Sequence, residues 1–338
     1  MHSVEDHASQ GAVPTLDELF ERARIVSIST RTRFRGVSAR EAVLFEGPNG
    51  ASEFSPFLEY GDAEASAWLA AAIEFGWGEL PPVKRETIAV NATVPAVAPD
   101  AVPGVLARFA GCRTAKVKVA EPGQSLAEDI DRVRAVREAM GAEALVRVDA
   151  NGGWSLEEAT TALTALAEFD LDYAEQPCAR VDELVELRRG LGGRVRIAAD
   201  ESVRKTEDPL AVARAGAADL LVIKAQPLGG MQRAIAIVEQ AGLPVVVSSA
   251  LDTSVGIAMG AHLAAALPKH MLAGACGLGT VALLEADVTR DSLLPINGEI
   301  AVRRPTLDQG LLDEFAAHPE RQAWWHDRIR RCYALLTP

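Results

Sequence analysis

The chain has 338 residues, of which 49% are hydrophobic, enough to bury the core of a large domain and of a smaller one. The formal net charge of −13 argues against a nucleic-acid partner, because the chain lacks the basic surface that phosphates require. Four cysteines without a CxxC pair, a polar N-terminus and no run of roughly 20 apolar residues argue against a disulfide framework and a membrane span, and they predict a cytoplasmic protein.

The beginning of the sequence predicts a polar N-terminal extension over residues 1–22, followed by a small α+β domain over residues 23–86. The extension is predicted to be disordered over residues 1–14. The small domain contains two predicted strands, Ala23–Thr30 and Glu41–Glu46, and a predicted helix, Ala63–Phe75. Two irregular loops, Arg31–Gly36 and Gly47–Tyr60, follow the two strands. Loops of this kind often cover active sites, although many are only connectors.

After Pro81-Pro82, short β-branched segments alternate with helical stretches. Eight such segments are predicted to be strands: Thr87–Val94, Thr114–Val119, Leu145–Asp149, Asp172–Glu175, Val195–Asp200, Leu220–Lys224, Pro244–Ser249 and Ala275–Leu278. Strands that alternate with helices in this way indicate a parallel (β/α) barrel over residues 87–285 rather than an open sheet. The C-terminal segment, residues 286–338, either covers the barrel or returns to the small domain, and the pattern leaves both open.

Four of the predicted strands end in a charged residue, although strands covered on both faces should be apolar. These residues are Asp149, Glu175, Asp200 and Lys224. Catalytic side chains collect at the C-terminal strand ends of such a barrel, so we expect the three carboxylates to converge there. An oxygen-only ligand set suits Mg²⁺. Each acidic residue taken alone is more typical of a helix N-cap or a loop.

Lysines flank this set of carboxylates along the chain. Lys116 and Lys118 occupy positions i and i+2 of one strand and therefore share a face. Lys224 follows the carboxylates, and we expect it to face Lys118 across the barrel mouth. A buried lysine near a cation can act as a general base, in this case on the α-proton of a metal-bound carboxylate. Alternatively, the lysine pair extends from the strand end into solvent.

The last two predicted strands contribute polar groups without charge. Ser248 and Ser249 lie at a strand end, and Gly256 follows at a predicted helix start. These groups suit the binding of a carboxylate by hydroxyls and backbone N–H groups, and they suit a capping turn equally well. Gly277, in the eighth predicted strand, permits close approach of the backbone.

The order of these motifs resembles the muconate-lactonising subgroup of the enolase superfamily over roughly residues 23–310. The motifs are Lys116-x-Lys118, Asp149-Ala-Asn151, Glu175-Gln-Pro177, Asp200-Glu201 and Lys224. Within that subgroup the sequence is most similar to the o-succinylbenzoate synthases of the actinobacterial type. The segments that carry this similarity are Arg31–Gly36, Glu53–Phe57, Val90–Pro95, Thr114–Lys118, Glu175–Cys178, Ala198–Ser202, Lys224–Gly230 and Ser248–Gly256.

The resemblance implies a (β/α)7β-type barrel with a smaller α+β capping domain. It also implies a Mg²⁺-dependent hydro-lyase of menaquinone biosynthesis, with Mn²⁺ as an alternative ion. The implied substrate is a small carboxylate, 2-succinyl-6-hydroxy-2,4-cyclohexadiene-1-carboxylate, which loses water through an enediolate to give 2-succinylbenzoate. Lysine together with Mg²⁺ is the solution by which the enolase superfamily is known to stabilise such species.

The resemblance also assigns roles to single residues. Asp149, Glu175 and Asp200 would be the metal ligands. Lys118 would remove the α-proton and then protonate the departing hydroxyl, while Lys224 would stabilise the enediolate as a cation. Six residues are predicted to bind substrate, and Glu201 is predicted to support the metal ligands from behind; the six are Lys116, Arg147, Asn151, Ser248, Ser249 and Gly277. The loops near Arg33 and Phe54 are predicted to close over the substrate.

The sequence departs from the family pattern at two places. Asp252 stands where the pattern has Glu, and Ala51-Ser52 replaces Trp-Gly. Relatives with the same lysines and carboxylates racemise N-acylamino acids, epimerise dipeptides or cycloisomerise muconate, and these activities remain alternatives. A barrel kept as a non-catalytic binding protein would be indicated by loss of a lysine or a metal ligand, and all of them are present. The oligomeric state is left open.

Overall fold

A computed structural model of the chain describes residues 13–34, 36–204 and 208–336. Its strands are β1 (Ala23–Phe34), β2 (Val37–Gly47), β3 (Gly50–Phe54), β4 (Thr87–Ala89), β5 (Ala92–Val94), β6 (Thr114–Lys118), β7 (Leu145–Asp149), β8 (Leu171–Glu175), β9 (Ile197–Ala199), β10 (Leu220–Ile223), β11 (Val245–Val247) and β12 (Glu299–Ala301).

The α-helices alternate with the strands from β5 onward. They are α1 (Leu16–Glu21), α2 (Asp62–Trp77), α3 (Val102–Leu106), α4 (Leu126–Met140), α5 (Leu156–Leu166), α6 (Val181–Leu191), α7 (Glu201–Arg204), α8 (Ala211–Ala215), α9 (Met231–Ala241), α10 (Ser254–Ala266), α11 (Gln309–Glu314) and α12 (Pro319–Ala334). Among these described helices, none combines the length and the apolar composition needed to cross a bilayer.

The barrel is built from seven parallel strands, β5 to β11, each paired with its neighbour in chain order. The eighth predicted strand, Ala275–Leu278, is reduced to single parallel bridges, Val90 to Cys276 and Ser248 to Gly277. These bridges join the first and last strands, so the sheet closes into the expected (β/α)7β-type barrel. The predicted first strand divides into β4 and β5, because β4 pairs antiparallel with β12 instead.

Several barrel helices begin at a side chain that satisfies the free backbone N–H groups of the first turn. Ser125 before α4 accepts from the backbone of Glu128, and Glu128 bonds back to Ser125. Ser155 and Glu158 form the same reciprocal pair before α5. Such capping boxes fix where each helix leaves the loop that follows a strand end.

The capping domain consists of the antiparallel sheet β1–β2–β3 and helix α2. Both of the loops predicted here contain strand. The first, Arg31–Gly36, continues β1 as far as Phe34, and Arg35 lies outside the described residues. The second contains β3. Period-2 alternation is weak in both segments, and pairing across the sheet decides their conformation.

The two ends of the described part of the chain, helices α1 and α12, pack on this domain. Residues 1–12 lie outside the described part, but helix α1 forms within the predicted extension and buries Leu19. The C-terminal segment does both things that the sequence left open. Strand β12 pairs with β4 beside the barrel. Helix α12 packs on the capping domain, where the ring centroids of Trp325 and Phe54 are 5.6 Å apart.

A fully buried carboxylate joins the two domains. Glu53 on β3 accepts hydrogen bonds from the Thr253 hydroxyl (2.5 Å) and the Gly256 N–H (3.0 Å) at the start of α10. A Cβ at Gly256 would lie 3.0 Å from Glu53 Cδ, so the absent side chain permits this approach. Burial and then the neighbouring Asp252 raise the pKa of Glu53 to about 7, against the opposing effect of Arg40.

This raised pKa predicts a pH-dependent stability. The folded state binds the proton more tightly than the unfolded chain, whose Glu pKa is 4.5, so the contribution of Glu53 is complete at acidic pH and is lost as pH rises toward 7. In Glu53→Gln, the decline of the free energy of unfolding between pH 5 and pH 8, measured with urea, should be shallower than in the parent. The exposed Glu46→Gln serves as control, and equal slopes in all three proteins would contradict the assignment.

Candidate active site

The sheet register brings the predicted site residues into one row. Lys118 is paired with Asp149, and Asp149 with Glu175, across three neighbouring strands. Asp200 and Lys224 directly follow β9 and β10. Parallel strands end at the same mouth of a barrel, so these five side chains meet there although they are far apart in sequence.

A cavity opens at this mouth between the barrel and the capping domain. Most of the predicted site residues line it, namely Lys116, Lys118, Asp149, Asn151, Asp200, Lys224, Ser248, Ser249 and Gly277. Glu175 and Glu201 stand just behind this surface, in contact with lining side chains. The predicted set is therefore gathered in one place, with the exception of Arg147.

Lys116 bridges two of the carboxylates. Its Nζ lies 2.8 and 2.9 Å from the two Glu175 oxygens and 3.1 Å from Asp149 Oδ2. Burial opposes the charge on Lys116, but Asp149 and Glu175 hold its pKa well above the usual value. Burial and the neighbouring Asp149 raise the pKa of Glu175 to about 7 despite this pairing. The three side chains are nearly inaccessible to solvent, so their charges depend on one another.

Lys118 is held by two oxygen acceptors. Its Nζ lies 2.6 Å from Asp149 Oδ2 and 2.6 Å from Asn151 Oδ1. Burial alone would raise the pKa of Asp149, but Lys116 and Lys118 keep it well below its usual range. Asn151 adopts a positive φ of 49° and donates its amide to Glu201 Oε1 at 3.1 Å. The lysine is thus fixed at the cavity wall with its ammonium group pointing between two polar partners.

Lys224 occupies the other side of the row. Its ammonium group is bonded to Asp200 Oδ2, while Arg204 Nε donates to Asp200 Oδ1 at 3.0 Å. Burial disfavours ionised Asp200, but Arg204 and Lys224 lower its pKa below the usual range. Burial lowers the pKa of Lys224 in turn. The neighbouring Asp200 carboxylate opposes this effect and favours the charged ammonium.

Arg147 does not reach the cavity. Its guanidinium lies in the barrel interior, donating to Asp172 Oδ2 at 2.8 Å and to the Ala275 carbonyl at 2.6 Å, and it stacks over Tyr173. Strand periodicity correctly puts Arg147 on the face of Asp149, but it lies two residues nearer the N-terminal end. Its guanidinium is held by Asp172 and the Ala275 carbonyl and does not line the cavity, although Lys116, which is paired with Arg147 on the neighbouring strand, does.

The hydroxyl-rich strand end faces the predicted eighth strand. Ser249 Oγ bonds the Gly277 carbonyl and the Thr280 hydroxyl, both at 2.7 Å. A Cβ at Gly277 would lie 2.5 Å from Ser248 Oγ, so glycine is required for the two segments to approach. Leu251, with a positive φ of 63°, turns the chain back over the cavity.

The capping domain supplies the remaining wall through residues that the sequence analysis missed. Phe34, Phe57 and Tyr60 line the cavity, whereas Phe54 packs in the capping-domain core. Arg33, although exposed, does not line the cavity; its neighbour Phe34 does. Arg204 is a further lining residue, and its position four residues after Asp200 in a helical segment was the available signal.

Asp149, Glu175 and Asp200 have the chemistry that suits a divalent ion, and two of them, Asp149 and Glu175, lie close enough to share one cation. All three donors are carboxylates, which Mg²⁺ prefers. The Lys116 ammonium already bridges Glu175 and Asp149 at 2.8 and 3.1 Å, so a single cation can hold both. Within the described ranges, no three acidic, histidine or cysteine side chains stand in ready-made metal geometry. Their oxygens are instead turned toward the ammonium groups of the lysines.

Comparison with known proteins agrees with this geometry. A family model described as enolase C-terminal domain-like matches residues 105–311, and an enolase N-terminal domain-like model matches residues 25–76. The o-succinylbenzoate synthase of Mycobacterium tuberculosis (strain H37Rv) is 55% identical over 96% of this chain and 98% of its own length. This chain belongs to the o-succinylbenzoate synthase family of the enolase superfamily. The corresponding protein of Mycobacterium ulcerans is 54% identical over 95% of this chain and 96% of its own length.

Solved structures show the same fold in this superfamily. The 2-chloromuconate cycloisomerase of Rhodococcus opacus superposes with a TM-score of 0.73 at 24% identity, covering 88% of this chain and 98% of that protein. The muconate lactonizing enzyme of Pseudomonas putida gives a TM-score of 0.71 at 21% identity, over 87% and 98% of the two chains. The resemblance to the enolase superfamily and the predicted fold class are therefore confirmed.

The Lys116 bridge predicts that metal and lysine substitute for one another. Lys116→Met leaves Asp149 and Glu175 without their shared cation, and unpairing a buried charge costs about 3–5 kcal/mol. In urea unfolding with EDTA, we expect the variant to lose stability of this order. Saturating Mg²⁺ should restore most of it, because a dication replaces the ammonium group.

The control for this measurement is Lys84→Met, at an exposed lysine. It should behave like the parent with and without Mg²⁺. A Lys116→Met protein that is equally destabilised under both conditions would show that the lysine and the ion do not share a place.

Proposed function

We propose that this protein is a Mg²⁺-dependent o-succinylbenzoate synthase of menaquinone biosynthesis. It would convert 2-succinyl-6-hydroxy-2,4-cyclohexadiene-1-carboxylate into 2-succinylbenzoate and water. The observation that carries the proposal is the buried row of Lys118, Asp149, Asp200 and Lys224 along one cavity, in a chain that is 55% identical to curated synthases over nearly its whole length. Its cytoplasmic location stays a prediction.

Asp149, Glu175 and Asp200 are the residues proposed to hold the ion, with Mn²⁺ as an alternative. When bound, the ion would make the α-proton of the substrate carboxylate more acidic and stabilise the resulting negative charge. The charges of the surrounding side chains are consistent with this. Four cationic and four anionic side chains meet at the site: Lys116, Lys118, Lys224 and Arg204, with Asp149, Glu175, Asp200 and Glu201. A dication and a substrate with two carboxylates would add equal and opposite charge.

Lys118 is proposed to be the acid–base group. As the neutral amine it removes the α-proton, and as the ammonium it delivers a proton to the hydroxyl that leaves as water. Loss of water makes the ring aromatic, so the second step is strongly downhill. Asn151 accepts a hydrogen bond from Lys118 at 2.6 Å and would keep the Nζ pointing toward the substrate.

Lys224 is proposed to act as a fixed positive charge on the opposite wall. Its contact with Asp200 keeps it in place, and burial strengthens its attraction for a developing negative charge. The apolar part of the substrate would lie against Phe34, Phe57 and Leu251.

Racemisation of N-acylamino acids is the second candidate, because lysines on two walls of one cavity could each serve one enantiomer. Dipeptide epimerisation uses the same chemistry. Incubation with N-succinyl amino acids in D2O, followed by NMR, detects both as exchange of the α-proton.

We expect the purified protein to consume the cyclohexadiene carboxylate when Mg²⁺ is present, and the change in ultraviolet absorbance measures this turnover. Addition of EDTA should stop turnover, and Mg²⁺ should restore it, because three carboxylates without an ion leave the substrate carboxylate unneutralised. A folded protein with bound Mg²⁺ and no conversion would reject the synthase assignment in favour of the racemase.

A separate prediction concerns the proposed acid–base role of Lys118. Lys118→Ala removes both proton transfers and should lower kcat by roughly 10²–10⁴-fold, the range for acid–base groups. Circular dichroism should show an unchanged fold. The matched control is Lys269→Ala, at an exposed lysine that follows the C-terminal end of α10, which should retain full activity. Retained activity in Lys118→Ala would rule out its assigned role.

A further inference from the structure

A continuous series of hydrogen bonds runs from the capping domain to Lys118. Arg204 Nη1 donates to the Tyr60 hydroxyl oxygen at 3.1 Å, and Arg204 Nη2 donates to Glu201 Oε1 at 2.7 Å. Glu201 Oε1 also accepts from Asn151 at 3.1 Å, and Asn151 accepts from Lys118 at 2.6 Å. We call these five residues the Arg204 network.

Arg204 also connects to the opposite lysine. Its Nε donates to Asp200 Oδ1 at 3.0 Å, which leaves Asp200 Oδ2 for Lys224. One guanidinium thus contacts both carboxylates of the Asp200-Glu201 pair as well as the capping domain. Its planar arrangement of donors allows these three bonds at fixed angles, which an ammonium group could not reproduce.

The environment of Arg204 makes this geometry strict. The side chain is only 7% exposed and lines the cavity beside Tyr60 and Lys224. A charge in such a place is tolerated only when its partners are held in position. Asp200 and Glu201 supply the opposite charge from the same short segment, at 3.0 and 2.7 Å.

We infer that Arg204 is a positioning residue that sets the placement of Lys118 and Lys224 together and links it to the capping domain through Tyr60. The inference rests on the proposed function for the roles of the two lysines. Arg204 acts on Lys118 through Glu201 and Asn151, and on Lys224 through Asp200.

The test uses Arg204→Lys in the full-length protein, because lysine keeps the charge and loses the geometry. Partners that orient metal ligands typically contribute 10- to 100-fold to affinity or activity. We expect kcat to fall by about 10- to 100-fold with a smaller change in KM, and Mn²⁺ affinity, measured by electron paramagnetic resonance, to fall by about tenfold. Arg188→Lys, in an exposed Arg–Asp pair with Asp219, is the matched control and should change neither quantity.

Tyr60→Phe tests the link to the capping domain by removing one hydroxyl. It should lower kcat in the parent and have little further effect in Arg204→Lys, because the two changes interrupt the same path. Additive effects would overturn the link. If Arg204→Lys does not fold, Glu201→Gln replaces it, with the same expected loss of kcat and the same coupling to Tyr60→Phe.

An Arg204→Lys protein with parental kcat and Mn²⁺ affinity would overturn the inference, as would a change in KM alone. The Mn²⁺ measurement keeps this outcome separate from the synthase assignment. A parent protein that binds Mn²⁺ without turning over the cyclohexadiene carboxylate would refute the proposed function, while the affinity of Arg204→Lys would still decide the role of Arg204.

Discussion

The structure depends on the balance of buried charge at the barrel mouth. Lys116 holds Asp149 and Glu175 together, and Asp200 is shared between Lys224 and its neighbouring arginine. Neither the carboxylates nor the cationic side chains could be buried without the other, because an unpaired charge in the interior costs on the order of several kcal/mol. Opposite charges therefore meet at the ends of neighbouring strands, where Lys116, Lys118 and Lys224 pair with the three carboxylates.

The capping domain has a chemical as well as a covering role. Glu53 accepts hydrogen bonds from the Thr253 hydroxyl and the Gly256 N–H, and it thereby ties β3 to the start of α10. Tyr60 reaches the guanidinium of Arg204 on the other side of the cavity. The two domains therefore share polar contacts at two places, between Glu53 and α10 and between Tyr60 and Arg204.

The elements that the sequence predicted well are those with local causes. Capping boxes and apolar strands fix most of the barrel, and charged strand ends pointed to the site before any geometry was known. Prediction was weaker where pairing partners decide the outcome. The stretch from Arg31 to Phe34 became strand as the continuation of β1, in which Phe34 pairs with Val37 across the hairpin, and the eighth strand is reduced to bridges at Cys276 and Gly277. Arg147 lies on the predicted face, but its guanidinium binds Asp172 and the Ala275 carbonyl, partners that periodicity along one strand does not predict.

The sequence by itself determined which residues meet: lysines and carboxylates at the ends of successive strands, at intervals of one βα unit, gather at one mouth of a parallel barrel. Only the tertiary structure decided which partner each charge takes. Lys116 turned out to bridge two carboxylates, and Arg204 to join the two domains, because hydrogen-bond partners distant in sequence are set by the closure of the barrel and by the docking of the capping domain. Spacing along a chain specifies which face a residue shares, whereas distances between side chains on different strands exist only once the sheet has closed.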